Sequence, residues 1–367
     1  MHRRAYLGGI AAAAGAIGLA GCSEEELSAD TGFGDGDGIE RVLQLEDGTY
    51  YDMDISENGH TMVTAATGET ILHDPDGASR TITEDNADVH LSPDGDQLIS
   101  IVHGTITLYD RDGESQWQRT METAEGNETE IAGSGVTDGF ESVTTASVTS
   151  LVALSMDDAV LWETGLPSGR VWEADTSPSG EYAIARTEDR EDEPENEDAI
   201  HVAHDGEHIW SDEFDEPPIR AAISNEIAVV GLDDGRLLVY DLDGDIRWTD
   251  QDLGGFFELS QNGETLLTHD VENTIAFDPD GNEQWTHNEV GLWWYDAVDI
   301  SSSGRSIARY EDATEGVHTA NVYDGSGDVV WQDEFESRDV SVKISGDGRT
   351  WMISTDSEID VYHDYDG

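Results

Sequence analysis

The 367-residue sequence predicts an all-β fold, a β-propeller of four-stranded blades, on three observations. Apolar residues come in short alternating runs without helical periodicity, separated by turns rich in Gly, Asp and Asn, the pattern of half-buried strands joined by hairpins. A Ser-centred motif recurs eight times between Ser56 and Ser345 at a mean spacing of about 41 residues, the length of one propeller blade. A second motif, an Asp-x-x-Gly turn followed by Trp, keeps step with the first. Repetition in a ring hides strand edges and lets units that cannot bury their apolar faces alone become stable together.

The chain opens with Arg3-Arg4-Ala5-Tyr6-Leu7, then an apolar run over residues 8–20, then Leu19-Ala20-Gly21-Cys22. The run is shorter than the roughly 20 residues a membrane-spanning helix needs. It has the basic, apolar and small-residue regions of a signal peptide. The arginine pair resembles a twin-arginine export signal, and the last four residues resemble a lipobox. Residues 1–22 are therefore read as a lipoprotein signal with Cys22 as the lipidated residue. The protein is expected on the outer face of the cell membrane. Cys22 is the only cysteine, so disulfides contribute nothing to the fold. Residues 23–38, rich in Glu, Asp, Gly and Ser, read as an acidic flexible tether.

Residues 39–367 carry the repeats. The first landmark reads Ile55-Ser56-Glu57-Asn58-Gly59, Leu91-Ser92-Pro93-Asp94-Gly95, Thr176-Ser177-Pro178-Ser179-Gly180, Leu259-Ser260-Gln261-Asn262-Gly263, Ile300-Ser301-Ser302-Ser303-Gly304 and Ile344-Ser345-Gly346-Asp347-Gly348. Ile223-Ser224 is a shorter relative. A degenerate unit is placed on Ala146-Ser147 and runs to Trp162. Gly and Asn suit these turns because they tolerate positive φ. The second landmark sets Trp117, Trp210, Trp248, Trp285 and Trp331 after turns ending at Gly113, Gly206, Gly244, Gly281 and Gly327. The last unit stops at Asp364-Tyr365-Asp366-Gly367 without a Trp-bearing outer strand, and residues 39–45 form an orphan strand ahead of the first unit. That strand is expected to fill the vacancy and close the ring. Eight blades are expected, or seven if the degenerate unit forms none.

Charge sets the working conditions. Asp and Glu number 82 against 17 Lys and Arg, a net charge of −65, and Lys343 is the only lysine. In dilute buffer repulsion among carboxylates reaches roughly 10 Å or more, whereas in about 1 M salt it is screened within roughly 3 Å. The composition therefore points to a protein adapted to brine. It excludes nucleic acid as a direct partner, since nothing here neutralises a phosphate backbone.

The Asp-x-x-Gly-then-Trp motif resembles the tryptophan-docking repeat of quinoprotein-like (PQQ-like) propellers, in which the Trp packs between neighbouring blades. The Ser-Pro-Asp-Gly motif is shared with WD-type repeats. With its leader and acidity, the chain resembles propeller lipoproteins of haloarchaeal type over residues 39–367. In the quinoprotein group the enzymes bind the quinone with an adjacent cysteine pair and a calcium ion. Cys22 stands alone, so pyrroloquinoline quinone is not expected. The resemblance that remains is to cofactor-free members, including envelope-assembly scaffold lipoproteins.

Candidate sites follow from position in the repeat. Two residues before each Ser, the innermost strand carries Asp54, His90, Thr145, Asp175, Ala222, Glu258, Asp299 and Lys343. One residue before each Ser the column is mostly apolar, so the alternation places the polar column toward the axis. Asp54, His90, Asp175, Glu258, Asp299 and Lys343 are thus a candidate channel ring for a cation or polar ligand, or groups that bond adjacent blades. Phe256, Phe257, Trp293, Trp294 and Tyr295 precede innermost strands and are candidate rim aromatics for a partner or sugar, or inter-blade packing. The Asp-x-Asp-Gly turns offer two acids each, which fits turn chemistry better than a calcium site. Asn127-Glu128-Thr129 is an N-glycosylation sequon. No nucleophile, base and orienting acid come together in sequence, and the histidines have no metal-ligand spacing, so no metal site is expected.

These readings converge on a non-enzymatic cell-surface propeller that binds a protein or glycan partner and reaches the membrane through the lipid on Cys22. The alternative is a surface hydrolase or oxidoreductase with its site at the channel mouth.

Overall fold

The computed structural model describes residues 38–46, 50–66, 68–74, 77–85, 87–121, 131–147, 149–167, 170–188, 198–269, 273–288, 298–312, 317–335, 340–355 and 358–365. The chain divides into two units, Met1–Phe33 and Gly34–Gly367. Residues 1–37, which carry the expected signal with Cys22 and nearly all of the expected tether, lie outside the described residues, as do Asn127 and the aromatics 293–295.

The described residues are all β, with no helix among them, in eight four-stranded antiparallel sheets. Seven sheets are up-and-down meanders of consecutive strands, the eighth takes its outer strand from the start of the repeats, and each forms one blade of an eight-bladed propeller. The innermost strands are Tyr50–Ile55, Asp88–Leu91, Gly133–Val136, Arg170–Thr176, Pro218–Ile223, Phe256–Leu259, Val298–Ile300 and Ser341–Ile344. The ring closes as the repeats predict. Strand Ile39–Glu46 pairs antiparallel with Glu358–Asp364 and supplies the outer strand of the eighth blade.

The third blade departs from expectation. Its innermost strand is Gly133–Val136, and Ala146 ends the second strand, Ser142–Ala146. Thr137 takes the place expected for Ser147, and Thr145 is therefore not in the axial column. The reason lies in the turn: Phe140, at φ +52°, adopts the left-handed conformation that Gly holds elsewhere, and its N–H donates to the Thr137 carbonyl at 2.8 Å.

Local chemistry explains why the two motifs recur. The Ser hydroxyl accepts the backbone N–H five residues on at Ser56, Ser92, Ser177, Ser260 and Ser345, at 2.9–3.1 Å. In the Asp-x-x-Gly turns of Asp110, Asp241, Asp278 and Asp324, one carboxylate oxygen accepts the N–H groups two and four residues on. These carboxylates are engaged in holding their own turns.

The apolar core is divided among the seams. Eight buried clusters each join two neighbouring blades; one packs Ile184, Ile200 and Val202 of blade four against Ala221, Ile223 and Val230 of blade five. The motif tryptophans seal the outer half of the seams. Nε1 of Trp117, Trp210 and Trp248 donates to the carbonyls of Met156, Leu242 and Pro279 in the next blade, at 2.6, 3.0 and 3.2 Å. Gly281 has φ +81°, and a Cβ there would meet the Trp248 ring at 2.9 Å, so the turn needs glycine both for its backbone and for the ring seated on it.

Candidate functional site

Alternation along the innermost strands sends one set of side chains into a cavity of about 450 Å³ on the propeller axis. Asp54, His90, Asp175, Glu258, Asp299 and Lys343 all line it, so the structure brings the six predicted ring residues together. Blade three contributes Gly135 at this level and blade five Ala222. Gly135 is required there: a Cβ would meet the Thr176 amide nitrogen at 2.6 Å, because the innermost strands of blades three and four run in close contact.

The carboxylates reach across the seams. Asp54 accepts the N–H of Ile55 at 2.8 Å with one oxygen and that of Leu91, in the next blade, at 2.7 Å with the other. Asp175 does the same with Thr176 and Ile223, at 2.8 and 3.1 Å. Asp299 accepts the N–H of Ile344 at 2.7 Å. Innermost strands of neighbouring blades do not pair with one another, so the carboxylates satisfy amides that the sheets leave open. His90 Nε2 lies 2.8 Å from Ser134 Oγ and bridges blades two and three.

Burial governs the ionisation of this ring. It pushes Asp175 up to about 7 despite two backbone N–H donors, and it raises Asp54, Glu258 and Asp299. Burial holds His90 down at about 4, so its imidazole is neutral near pH 7. Lys343 moves the other way. Asp299, 3.9 Å from its Nζ, raises it most, and Glu258, Asp54 and Asp52 add to the effect. The cavity therefore favours cations and hydrogen-bond donors, and one ammonium of the chain already stands among its carboxylates.

Further charged residues of this region were missed in sequence, among them Asp52, Glu173 and Arg220. Asp52 accepts the N–H of Val89 at 2.9 Å, and burial pushes it up to about 7. Glu173 accepts from Ala221 N and from Arg186 Nε, at 3.3 and 3.2 Å. Arg220 pairs closely with Glu258. All three sit four residues before a motif Ser, so the same alternation carried two residues further finds them.

Of the two placements expected for the aromatics, Phe257 takes inter-blade packing. Phe257 does not stand on a rim. It is 0% exposed, packed with Leu253 and Leu266 in the seam between blades five and six, with the Arg220 guanidinium 5.8 Å from its ring centre. Phe256 opens the same innermost strand. Trp172, unflagged in sequence, is 41% exposed. A bulge between Val171 and Glu173 turns it out of the innermost strand of blade four, with the Arg170 guanidinium 5.3 Å from its ring centre.

Comparison with known proteins agrees with this architecture. The family model PQQ_2, described as outer membrane protein assembly factor BamB, matches residues 195–349, from the latter half of blade four into blade eight. No curated protein matches the chain. Among solved structures, the C-terminal WD40 domain of Sif2 superposes with a TM-score of 0.64 at 10% identity, over 89% of this chain and 98% of that one. The β-propeller domain of Myceliophteria thermophila Cps50 (Swd1) gives a TM-score of 0.51 at 14% identity, over 76% of this chain and 95% of that one. At these identities the likeness to the solved structures is one of fold. The chain is an eight-bladed propeller with repeats similar to those of the BamB family.

Proposed function

We propose that this chain is an exported propeller lipoprotein, anchored through Cys22, that serves as a non-enzymatic binding or scaffold module for a protein or glycan partner at the cell surface. One observation carries the reading: Asp54 and Asp175 each engage both carboxylate oxygens with backbone N–H groups and so join blade to blade. Groups tied down in this way fit a rigid frame that presents its rims. The match of residues 195–349 to an assembly-factor family supports the same reading, as does the fold shared with WD40 domains. Trp172, large, apolar and solvent-facing beside the cavity wall, is the contact residue of choice, because exposed Trp is enriched at interface hot spots.

The test is affinity purification of the lipidated protein from its own membranes in molar KCl, with mass spectrometry of what accompanies it. A stoichiometric partner that is largely lost from Trp172→Ala is the expected result. Recovery of the propeller alone from both preparations would overturn the reading.

A second reading has one observation in its favour. Asp52 and Asp175 are held near pH 7, the range suited to general acid–base catalysis. If the cavity is an active site, Asp54→Asn, Asp175→Asn and Asp299→Asn remove activity while leaving the fold intact. If it is structural, they chiefly shift the unfolding temperature.

A further inference from the structure

The third and fourth strands of blade four, Ala199–His204 and Glu207–Glu213, form a hairpin that sets His201 beside His208. The ring centroids are 5.7 Å apart and the planes inclined at 53°. His201 is 1% exposed. Its Nε2 lies 3.3 Å from Thr187 Oγ1, and that hydroxyl donates its proton to the Ala199 carbonyl oxygen. With its proton on that carbonyl, the hydroxyl accepts from His201 Nε2–H, and in this tautomer Nδ1 keeps its lone pair. Among the described residues this Nδ1 has no hydrogen-bond partner, nor has Nε2 of His208, and both atoms are buried. A buried polar atom left unpaired costs free energy. Two such imidazole nitrogens on touching rings form a ligand set.

The spacing suits a shared metal ion. With metal–nitrogen bonds of about 2.0–2.1 Å, an ion lies about 3.2 Å from each ring centre, so two imidazoles on one ion have centroids about 5.2 Å apart at a tetrahedral angle and about 6.4 Å when opposed. The observed 5.7 Å falls between these limits. An Nε2–H held by Thr187 is also the kind of outer bond that orients a ligating imidazole. No group of three or more His, Cys, Asp or Glu side chains arranged for a metal occurs among the described residues. The ion would therefore keep open positions for water or for an external ligand.

We propose that His201 and His208 together bind one late first-row metal ion, Cu²⁺ ahead of Zn²⁺ in the usual order of affinity. The site lies on blade four, apart from the axial cavity, and its existence does not depend on the binding role proposed above. Sequence spacing conceals it, because the two ligands meet only through the hairpin register.

Full-length protein stripped of metal and held in molar KCl is titrated with Cu²⁺ in the presence of excess glycine, which competes for weak surface sites. Electron paramagnetic resonance is read for nitrogen couplings. The expected result is one ion per chain with two coupled imidazoles. In His208→Ala the affinity falls roughly tenfold or more and one imidazole coupling disappears, while the exposed His60→Ala leaves both unchanged. Identical affinity and couplings in wild type and His208→Ala overturn the proposal, as does a structure grown with Cu²⁺ that shows only water between the rings. Because His208 is half-buried at the blade edge, its variant keeps the test valid even if His201→Asn fails to fold.

Discussion

Lys343 stands where carboxylates of blades one, six and seven converge, and its ammonium offsets charges that burial makes costly. Lys343→Met leaves Asp299 without its nearest cation. With the lysine side chain 39% exposed, the expected loss is about 1–2 kcal/mol, below that of a fully buried pair. Thermal unfolding in molar KCl measures it, and an unchanged midpoint would show the cation to be dispensable. The same ring sets a pH dependence. Folded Asp52 and Asp175 titrate near 7, against roughly 3.9 for an unfolded aspartate. Between those values each aspartate binds a proton when folded that it does not bind when unfolded, so the pair adds stability as pH falls from about 8 toward 4. His90, held down at about 4, offsets part of the gain below roughly 6.5. Unfolding midpoints in molar KCl are expected to be higher at pH 5.5 than at pH 8, and Asp175→Asn should flatten the difference. All six ring residues were legible from period-2 alternation counted back from each Ser. Their partners were not, since Asp54 to Leu91 and Asp175 to Ile223 are bonds between blades whose relative register no local pattern encodes. Trp172 was hidden for a related reason: a bulge adds a residue and breaks the alternation that would have assigned its side.

At the scale of the element, the repeat is held by a turn and a tryptophan. Trp248→Ala removes a ring seated on the Gly281 turn and a hydrogen bond to Pro279, at a cost of roughly 2–4 kcal/mol for a half-buried Trp. Gly281→Ala attacks the same contact from the other side. It places a methyl group against the ring in a backbone conformation that costs an L-residue roughly 1–3 kcal/mol. If the two act on one contact, the double variant is less damaging than the sum, which denaturant titration of the four proteins decides. These seats were readable because Asp, Gly and Trp recur at a fixed offset. Blade three was misread because Thr137 replaces the Ser and Phe140 takes the left-handed position with Gly139 one residue too early. The motif was written in residues that satisfy the same geometry without matching its letters.

Across the whole molecule, the balance is between seam burial and self-repulsion. The apolar clusters are distributed one to a seam, so the ring has no single core to absorb a lost contact. A net charge of −65 acts against every seam at once. The propeller is expected to unfold cooperatively at high temperature in molar KCl and to lose most of that stability in dilute buffer, as circular dichroism would record. Equal stability in both would remove the argument from charge. Eight blades and their closure were legible because repetition multiplies a weak local signal eight times. The diagonal contact of His201 with His208 across one hairpin occurs once and has no such amplification.

Closure by strand Ile39–Glu46 also gives the molecule a direction in time and under tension. Its partner, Glu358–Asp364, is the last of the described strands in chain order, so the first strand must wait unpaired until all the strands between them have been made. The loop it then closes spans about 300 residues, among the slowest kinds of contact a chain can form. Seven residue pairs hold this strand in place. A pull applied through the residues before Ile39 falls on those pairs first, which makes the last seam to form the first to open.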